Sequence, residues 1–446
     1  MDPLGGKMTG RPIPEDISTR LQRIAELARE DPKRSFLNLA HYIDEKFLRE
    51  AHRRTRKSGA AGVDGQTAKE YSRDLGARLP SLLDRFKSGL YKAPPVRRAQ
   101  IPKDGGSTRV IGIPTFEDKV LQRAVQMELE AVYEQDFLDC SWGFRPGRSA
   151  HGALDALRRG LMEMGGGWVL DADIERFFDS LDHKQLRGFL DLRVRDGVLR
   201  RTIHKWLKAG VLDEGQLHRP DQGTPQGGVI SPLLANVYLH EVLDKWFEYE
   251  IKPQLQGRGF MIRYADDVVL VFSNEADARR VQELLARRLN EHGLSLHPTK
   301  TRLVEFRPKR DSNDRHEGPG GFDFLGFTHH WGRKRKSWIV KRKTASSRFT
   351  RTLRRLGEAL RQHRHHPVVW QHARIVRALT GHDNYYGFWE NRWALRRLRY
   401  EVTLVWREWL SRRSRGKPMP WVRFQRLLQC YPLPPPRSCV AIGGVA

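Results

Sequence analysis

Cysteine is scarce in this 446-residue chain: Cys140, Cys430 and Cys439 are the whole complement, and no two form a Cys-x-x-Cys pair. That spacing indicates neither a disulfide framework nor a zinc finger. Long apolar runs are missing too. Nothing approaches the ~18 consecutive residues of a membrane span. The start, Met1-Asp2-Pro3-Leu4-Gly5-Gly6, has no charged-then-apolar signal pattern. The histidines at 329–330 and at 363, 365 and 366 lack partner ligands at metal spacing and read as solvated basic surface. Acidic residues are too few to balance the basic ones, 53 against 80, for a net charge of +27. Such an excess suits a polyanion. Core-forming segments run through most of the chain, which favours nucleic acid over an anionic membrane; the missing span and signal pattern are read as those of an intracellular protein.

What is present falls into three stretches. Ile17, Leu21, Ile24 and Leu27 recur at helical spacing, and the region to about residue 60 reads as mostly helical, with a basic run at His52, Arg53, Arg54, Arg56 and Lys57. From Gly62 to about Phe327, short strands mix with helices. Residues 96–102 and 109–113 read as a hairpin across Asp104-Gly105-Gly106, residues 118–133 and 231–249 as helices, and 167–174 as a buried strand carrying acids. This irregular alternation indicates an α+β fold rather than a doubly wound sheet. Between 341 and 417 there are 20 Lys/Arg against 5 Asp/Glu, and eight of the twelve tryptophans lie beyond residue 330. Leu395, Leu398, Val402, Val405 and Trp409 line one helix face while Arg392, Arg396, Arg399 and Arg407 fall largely on another. From Pro418 onward the chain reads as a Pro-rich tail.

The chemistry centres on Arg263-Tyr264-Ala265-Asp266-Asp267. Apolar runs at 261–264 and 268–272 read as strands, so the two acids stand together where the hairpin turns. Adjacent carboxylates repel unless cations sit on them. Mg²⁺ fits, because it takes carboxylate oxygens and leaves positions for substrate phosphates. A polymerase uses such a pair to align an attacking hydroxyl and a leaving pyrophosphate. A third acid comes from Asp171-Ala172-Asp173-Ile174-Glu175-Arg176-Phe177-Phe178, where strand alternation puts Asp171 and Asp173 on one face. Asp173 is the better choice, because Phe178 then follows five residues on and can lie under an incoming sugar, excluding a 2′-hydroxyl.

Other segments say less alone. Lys103 and Arg109 flank a glycine turn and can clamp a triphosphate, although basic hairpin tips are commonly just solvated. Gln222-Gly223-Thr224-Pro225-Gln226-Gly227-Gly228 leads into the helix at Ser231. Its glycines permit close approach to a ligand, and Gln226 can bond a sugar or base edge; an ordinary loop-to-helix junction looks the same. Lys300, in Leu296-His297-Pro298-Thr299-Lys300, can protonate or neutralise a leaving pyrophosphate.

In this order, these segments resemble the reverse transcriptases encoded by bacterial group II introns. The resemblance covers roughly residues 60–330. It is carried by Gly62-Val63-Asp64-Gly65, Ile101-Pro102-Lys103 with Arg109, Gly112-Ile113-Pro114-Thr115, Gly143-Phe144-Arg145-Pro146-Gly147-Arg148-Ser149-Ala150-His151 and the Asp173 segment. Thr224-Pro225-Gln226-Gly227-Gly228, Tyr264-Ala265-Asp266-Asp267 and Phe322-Asp323-Phe324-Leu325-Gly326-Phe327 complete it. Gly381-His382-Asp383-Asn384-Tyr385-Tyr386 is similar, less specifically, to the family's thumb and maturase domain.

The resemblance implies an α+β right-hand polymerase. Fingers and palm, with an antiparallel palm sheet, would occupy 61–345, an all-helical thumb and maturase domain 346–420, a helical RNA-binding extension 1–60 and a tail 421–446. It implies that the catalytic acids Asp173, Asp266 and Asp267, with Ile174, hold two Mg²⁺ ions, for which Mn²⁺ substitutes. Lys103, Arg109 and Lys300 would serve the triphosphate, Phe178 the sugar and Gln226 the nascent pair. Arg54, Lys57, Arg145, Arg148, Arg392, Arg396 and Arg399 would bind RNA. The implied partners are intron RNA or another RNA template, a DNA primer or target, and dNTPs, with no membrane, in the bacterial cytoplasm or at the nucleoid. Many relatives also carry a DNA-binding region and a His-Asn-His nuclease with paired cysteines. This sequence shows neither, so a primer is expected from a nick or a replication fork. Two alternatives stand beside this reading: a domesticated relative used in DNA repair or phage defence, and a splicing cofactor that does not polymerise. The second expects degraded acids in the palm, and all three are present.

Overall fold

The computed structural model describes residues 15–102, 108–213, 216–218, 227–308, 320–413 and 418–437. Helices and small sheets are mixed, as an α+β chain requires. Strands β1 (Val96–Pro102) and β2 (Thr108–Ile113) pair antiparallel from Arg97 opposite Ile113 to Pro102 opposite Thr108. Strand β3 (Gly167–Asp173) belongs to a second sheet, while β4 (Val211–Asp213) and β5 (Gln216–His218) extend the first into the order β2-β1-β4-β5. Next come β6 (Gly259–Tyr264), β7 (Asp267–Phe272) and β8 (Arg302–Phe306), which with β3 give β6-β7-β3-β8. Finally β9 (Gly321–Phe324), β10 (Phe327–Lys334) and β11 (Ser337–Thr344) form an antiparallel sheet with β10 in the middle.

Two compact units divide the chain, one gathering residues 8–156 and 169–303, the other 157–168 and the residues from 304 onward. In the first unit, the helix Phe116–Tyr133 is buried along most of its length, with Glu15–Glu30 and Glu45–Arg54 packed on it. The run Val268-Val269-Leu270-Val271-Phe272 makes β7 buried on both faces, and the helix Glu275–Glu291 covers it. That helix starts cleanly because the Asn274 side chain accepts hydrogen bonds from the Ala276 and Asp277 amides. The expected helix at 231–249 is α-helical over Ser231–Leu239 and then widens into π turns at His240–Asp244 and Trp246–Ile251. Such widenings recur at functional sites.

In the second unit, helices Ser346–Gln362, Val368–Tyr386 and Arg392–Ser411 pack around the fully buried Trp406. The Trp406 indole donates to Gln371 Oε1 at 2.9 Å, so its one polar atom is satisfied. Residues expected as a tail behave differently: Trp421–Cys430 is a helix whose Phe424 is buried against Trp406. Its apolar spacing at Trp421, Phe424, Leu427 and Leu428 is the reason. His329 also departs from expectation. As an inward position of the central strand β10 it is fully buried and stacked on Phe322, with ring centroids 4.9 Å apart.

Candidate active site

The hairpin β6–β7 closes between Tyr264 and Asp267, leaving Ala265 and Asp266 as a two-residue turn. Ala265 has φ 58°, a left-handed conformation that costs a residue with a Cβ about 1–2 kcal/mol. Neighbouring groups hold it there. The Arg263 guanidinium, fully buried, donates from Nη1 to the Ala265 carbonyl at 3.2 Å and to Asn236 Oδ1 at 3.0 Å. From Nη2 it donates to Ser141 Oγ at 2.7 Å and to Asp244 Oδ2, and from Nε to Asp244 Oδ1 at 2.7 Å. Burial works against this charge, and the Asp244 carboxylate overrides it, raising Arg263 above its ordinary pKa.

The turn is also braced from outside. Residues 140–142 run along β6, with the Trp142 amide donating to the Arg263 carbonyl at 2.8 Å and the Arg263 amide to Cys140 at 2.7 Å. Gly143 then passes so close that a Cβ would lie 2.4 Å from the Ala265 nitrogen. Asn236 Nδ2 donates to the Gly143 carbonyl at 2.8 Å. Sequence reasoning quoted Arg263 in its central string but gave no bracing role to it, to Asp244 or to Asn236. The readable signal was an arginine following Met261-Ile262 in an apolar strand, which demands a buried carboxylate.

Asp173 ends β3, the hydrogen-bonded neighbour of β7, which begins at Asp267. The burial alternation around Ala172 leaves Asp171 and Asp173 both partly exposed, as the strand pattern predicts. Ile174, placed beside the metal set, is buried and bridges Leu296 in antiparallel fashion. The Glu175 amide donates to Ser295 at 2.8 Å and the His297 amide to Asp173 at 2.7 Å. This backbone seam carries Lys300 to the site, where its ammonium sits 2.8 Å from Asp173 Oδ2. Burial, and then the Asp267 charge, raise the pKa of Tyr264.

Phe177 and Phe178 open a short helix after Arg176, which has φ 46°. Phe177 meets Tyr238 edge-on and is core, and Phe178 is 8% exposed beside it. Lys103 and Gln226 lie outside the described residues, and of Arg109 only the backbone is described, opposite Ile101 in β1. The loop ahead of Ser231 does lie on β2: a Cβ at Gly227, φ 126°, would be 2.4 Å from the Gly112 carbonyl. The Val229 amide donates to Gln122 Oε1 at 2.7 Å.

The arginines expected to face RNA divide. Arg145 is 7% exposed and bonded to Glu134 and to the Leu138 and Ser141 carbonyls. Arg399 is 8% exposed and bonded to Asp383 and the Leu395 and Pro434 carbonyls. Both are turned inward by these acceptors rather than presented to a ligand. Arg148 pairs with Asp139 and covers Trp142. Arg54 pairs with Glu50, and the Lys57 ammonium folds onto the His52 carbonyl. Arg392 covers Trp389, and Arg396 is exposed.

Among the described residues, no three His, Cys, Asp or Glu side chains converge as a preformed metal cage. Acids at the β6–β7 turn and at the end of the neighbouring strand β3 still fit a cation that completes its shell with water and phosphate oxygens. No helix among the described residues is long and apolar enough to cross a membrane.

Residues 101–329 match the family described as reverse transcriptase (RNA-dependent DNA polymerase), whose polymerases use divalent metal ions. The chain is 40% identical over 232 residues to the group II intron-encoded protein LtrA of Lactococcus lactis subsp. cremoris, covering 51% of this chain and 38% of that one. It is 34% identical over 291 residues to protein YkfC of Escherichia coli K12, covering 57% of this chain and 75% of that one. It is 30% identical over 176 residues to nuclear intron maturase 2, mitochondrial, of Arabidopsis thaliana, covering 31% and 24%. With its acids held on a braced hairpin inside the matched segment, the chain belongs to the reverse transcriptase family, among relatives of group II intron-encoded proteins.

Proposed function

We propose that this chain copies RNA into DNA and also binds intron RNA to assist its splicing and mobility. The observation that carries the polymerase reading is the placement of Asp266 and Asp267 at the β6–β7 turn, with Asp173 ending the adjacent strand. In this reading the sheet β6-β7-β3-β8 is the palm, β1 and β2 belong to the fingers, and the helices from Ser346 onward are the thumb and maturase domain. The N-terminal helices extend the RNA-binding surface.

Asp173, Asp266 and Asp267, with Ile174 alongside, would hold two Mg²⁺ ions. When bound, they supply charge neutralisation for the primer hydroxyl and the triphosphate. The protein's part is positioning. Arg263 and Gly143 keep the acids at fixed spacing through the Ala265 turn. Lys103 and Arg109 orient the triphosphate, and Gln226 the nascent pair. Phe178 lies under the sugar and rejects a 2′-hydroxyl. The primer 3′-oxygen attacks the α-phosphorus in line, and pyrophosphate leaves toward Lys300. The 20 Lys/Arg against 5 Asp/Glu between 341 and 417 support the RNA-binding half.

Primer extension tests the polymerase reading, with a poly-riboadenylate template, an oligo-deoxythymidine primer and Mg²⁺. Wild type should extend and Asp266→Ala should not. Failure of both, with RNA binding intact, would sink the polymerase and leave the splicing cofactor.

A further inference from the structure

The helix Arg392–Ser411 buries Leu398, Val402 and Trp406 on one side. The other side is unusual for a solvated face. Trp393 is 82% exposed and Tyr400 63% exposed. Seven residues separate them, which on a helix means two turns, about 10 Å, on one face. Arg396 and Arg397 stand between them and are also exposed. Just ahead of the helix Trp389 is 49% exposed, with the Arg392 guanidinium 4.0 Å from its ring centroid. Arg397 is engaged within the helix by Glu401 at 3.7 Å.

A large aromatic left in water forgoes its burial energy, so two on one helical face call for a ligand surface. Arginines interleaved with them narrow the chemistry. Rings accept base faces, guanidinium groups grip phosphates, and together they make a platform for unpaired nucleic acid. The surrounding charge, 20 Lys/Arg against 5 Asp/Glu between 341 and 417, favours a polyanion over a protein partner. A 10 Å spacing matches about three nucleotides at 3.4 Å each.

We propose that Trp393 and Tyr400 form a stacking platform for unpaired bases of RNA, with Arg392 and Arg396 holding the flanking phosphates. The proposal rests on the RNA-binding half of the function given above and sharpens it. This face selects single-stranded segments, because a duplex keeps its base faces stacked on one another.

The test is fluorescence anisotropy on the full chain, with a labelled oligo-riboadenylate and the same strand annealed to oligo-uridylate, over a range of salt. Both rings are solvent-facing, so Trp393→Ala combined with Tyr400→Ala should leave the core intact. This double variant should bind the single strand roughly tenfold or more weakly, with the salt slope unchanged and duplex affinity little affected. Phe at both positions should restore most of the loss. Arg396→Glu should instead reduce the salt slope. Equal loss for single strand and duplex, or no loss for either, would overturn the platform while leaving RNA binding standing. A changed oligomeric state with unchanged RNA affinity would also overturn it, making the patch a protein contact. If the wild type bound neither RNA, the RNA-binding half of the proposed function would itself fall.

Discussion

Arg263 and Asp244 meet as a two-pronged ion pair in which neither side chain is exposed. One partner precedes the acid-bearing turn, and the other lies in a π-widened helical turn. The pair is worth more as a positioning device than as a source of stability, because burying both charges costs much of what their attraction returns.

Removing one partner leaves the other charged and unsatisfied. Asp244→Ala should therefore destabilise the fold by about 3–5 kcal/mol, read from urea unfolding. Arg263→Lys keeps the charge but not the fork, so it releases the Ala265 carbonyl or Asn236. In the folded Lys variant, kcat for primer extension should fall at least tenfold with little change in KM for dNTP. An unchanged kcat would mean that the turn holds without this brace.

Glycines give a sharper contrast. Gly143→Ala places a Cβ 2.4 Å from backbone at the Ala265 turn, so something must move there. Extension should drop more than thermal stability does. Gly188 sits in the exposed face of the helix His183–Arg193 with nothing within 4 Å of an added Cβ. Gly188→Ala should stabilise the protein by about 0.5–1 kcal/mol and leave extension unchanged. If both changes behaved alike, the close approach at Gly143 would have no bearing on the site.

The acids were legible because a hairpin writes itself in local pattern: two apolar strands around Ala265-Asp266, and Asp173 at the end of an alternating strand. Lys300 was legible as a candidate but not as Asp173's neighbour, since the seam joining 295–297 to 173–175 is a long-range pairing. Arg399 misled because helical spacing put it on the arginine face, while Asp383, on the preceding α-helix, draws it inward. The helix Trp421–Cys430 was hidden by the prolines around it. Its partner Trp406 lies on the preceding helix, and helical periodicity within either segment does not show that the two meet.

Lys300 stands where a cation is expected to sit on Asp173. The pair is solvent-exposed enough to be weak, so it tunes the site rather than closing it. Lys300→Ala should lower the Mg²⁺ concentration for half-maximal extension by roughly two- to fivefold, since one competitor for the carboxylate is gone. The maximal rate should fall as well, because pyrophosphate loses its counter-charge. A Mg²⁺ titration separates the two effects. A raised Mg²⁺ requirement would show instead that Lys300 helps assemble the site.

His329 makes a pH prediction in the other unit. Burial, assisted by Arg342 and His330, lowers it from the ordinary 6.5 to about 3, and neither ring nitrogen has a hydrogen-bond partner among the described residues. Above pH 6.5 the ring is neutral folded or unfolded and adds no pH dependence. Below that, the unfolded chain takes up a proton that the native state refuses, so stability falls as pH drops, by about 1.4 kcal/mol per unit for this group. The loss levels off near pH 3. His329→Phe keeps the stack on Phe322 and removes the titration. Its advantage over wild type in urea unfolding should therefore grow by about 2 kcal/mol between pH 7.5 and pH 5. His382, lowered to about 4 in the same unit, will leave a residual acid slope in both proteins, so the readout is the difference between them. A gap that stays constant with pH would mean that the native state accommodates a protonated His329 after all.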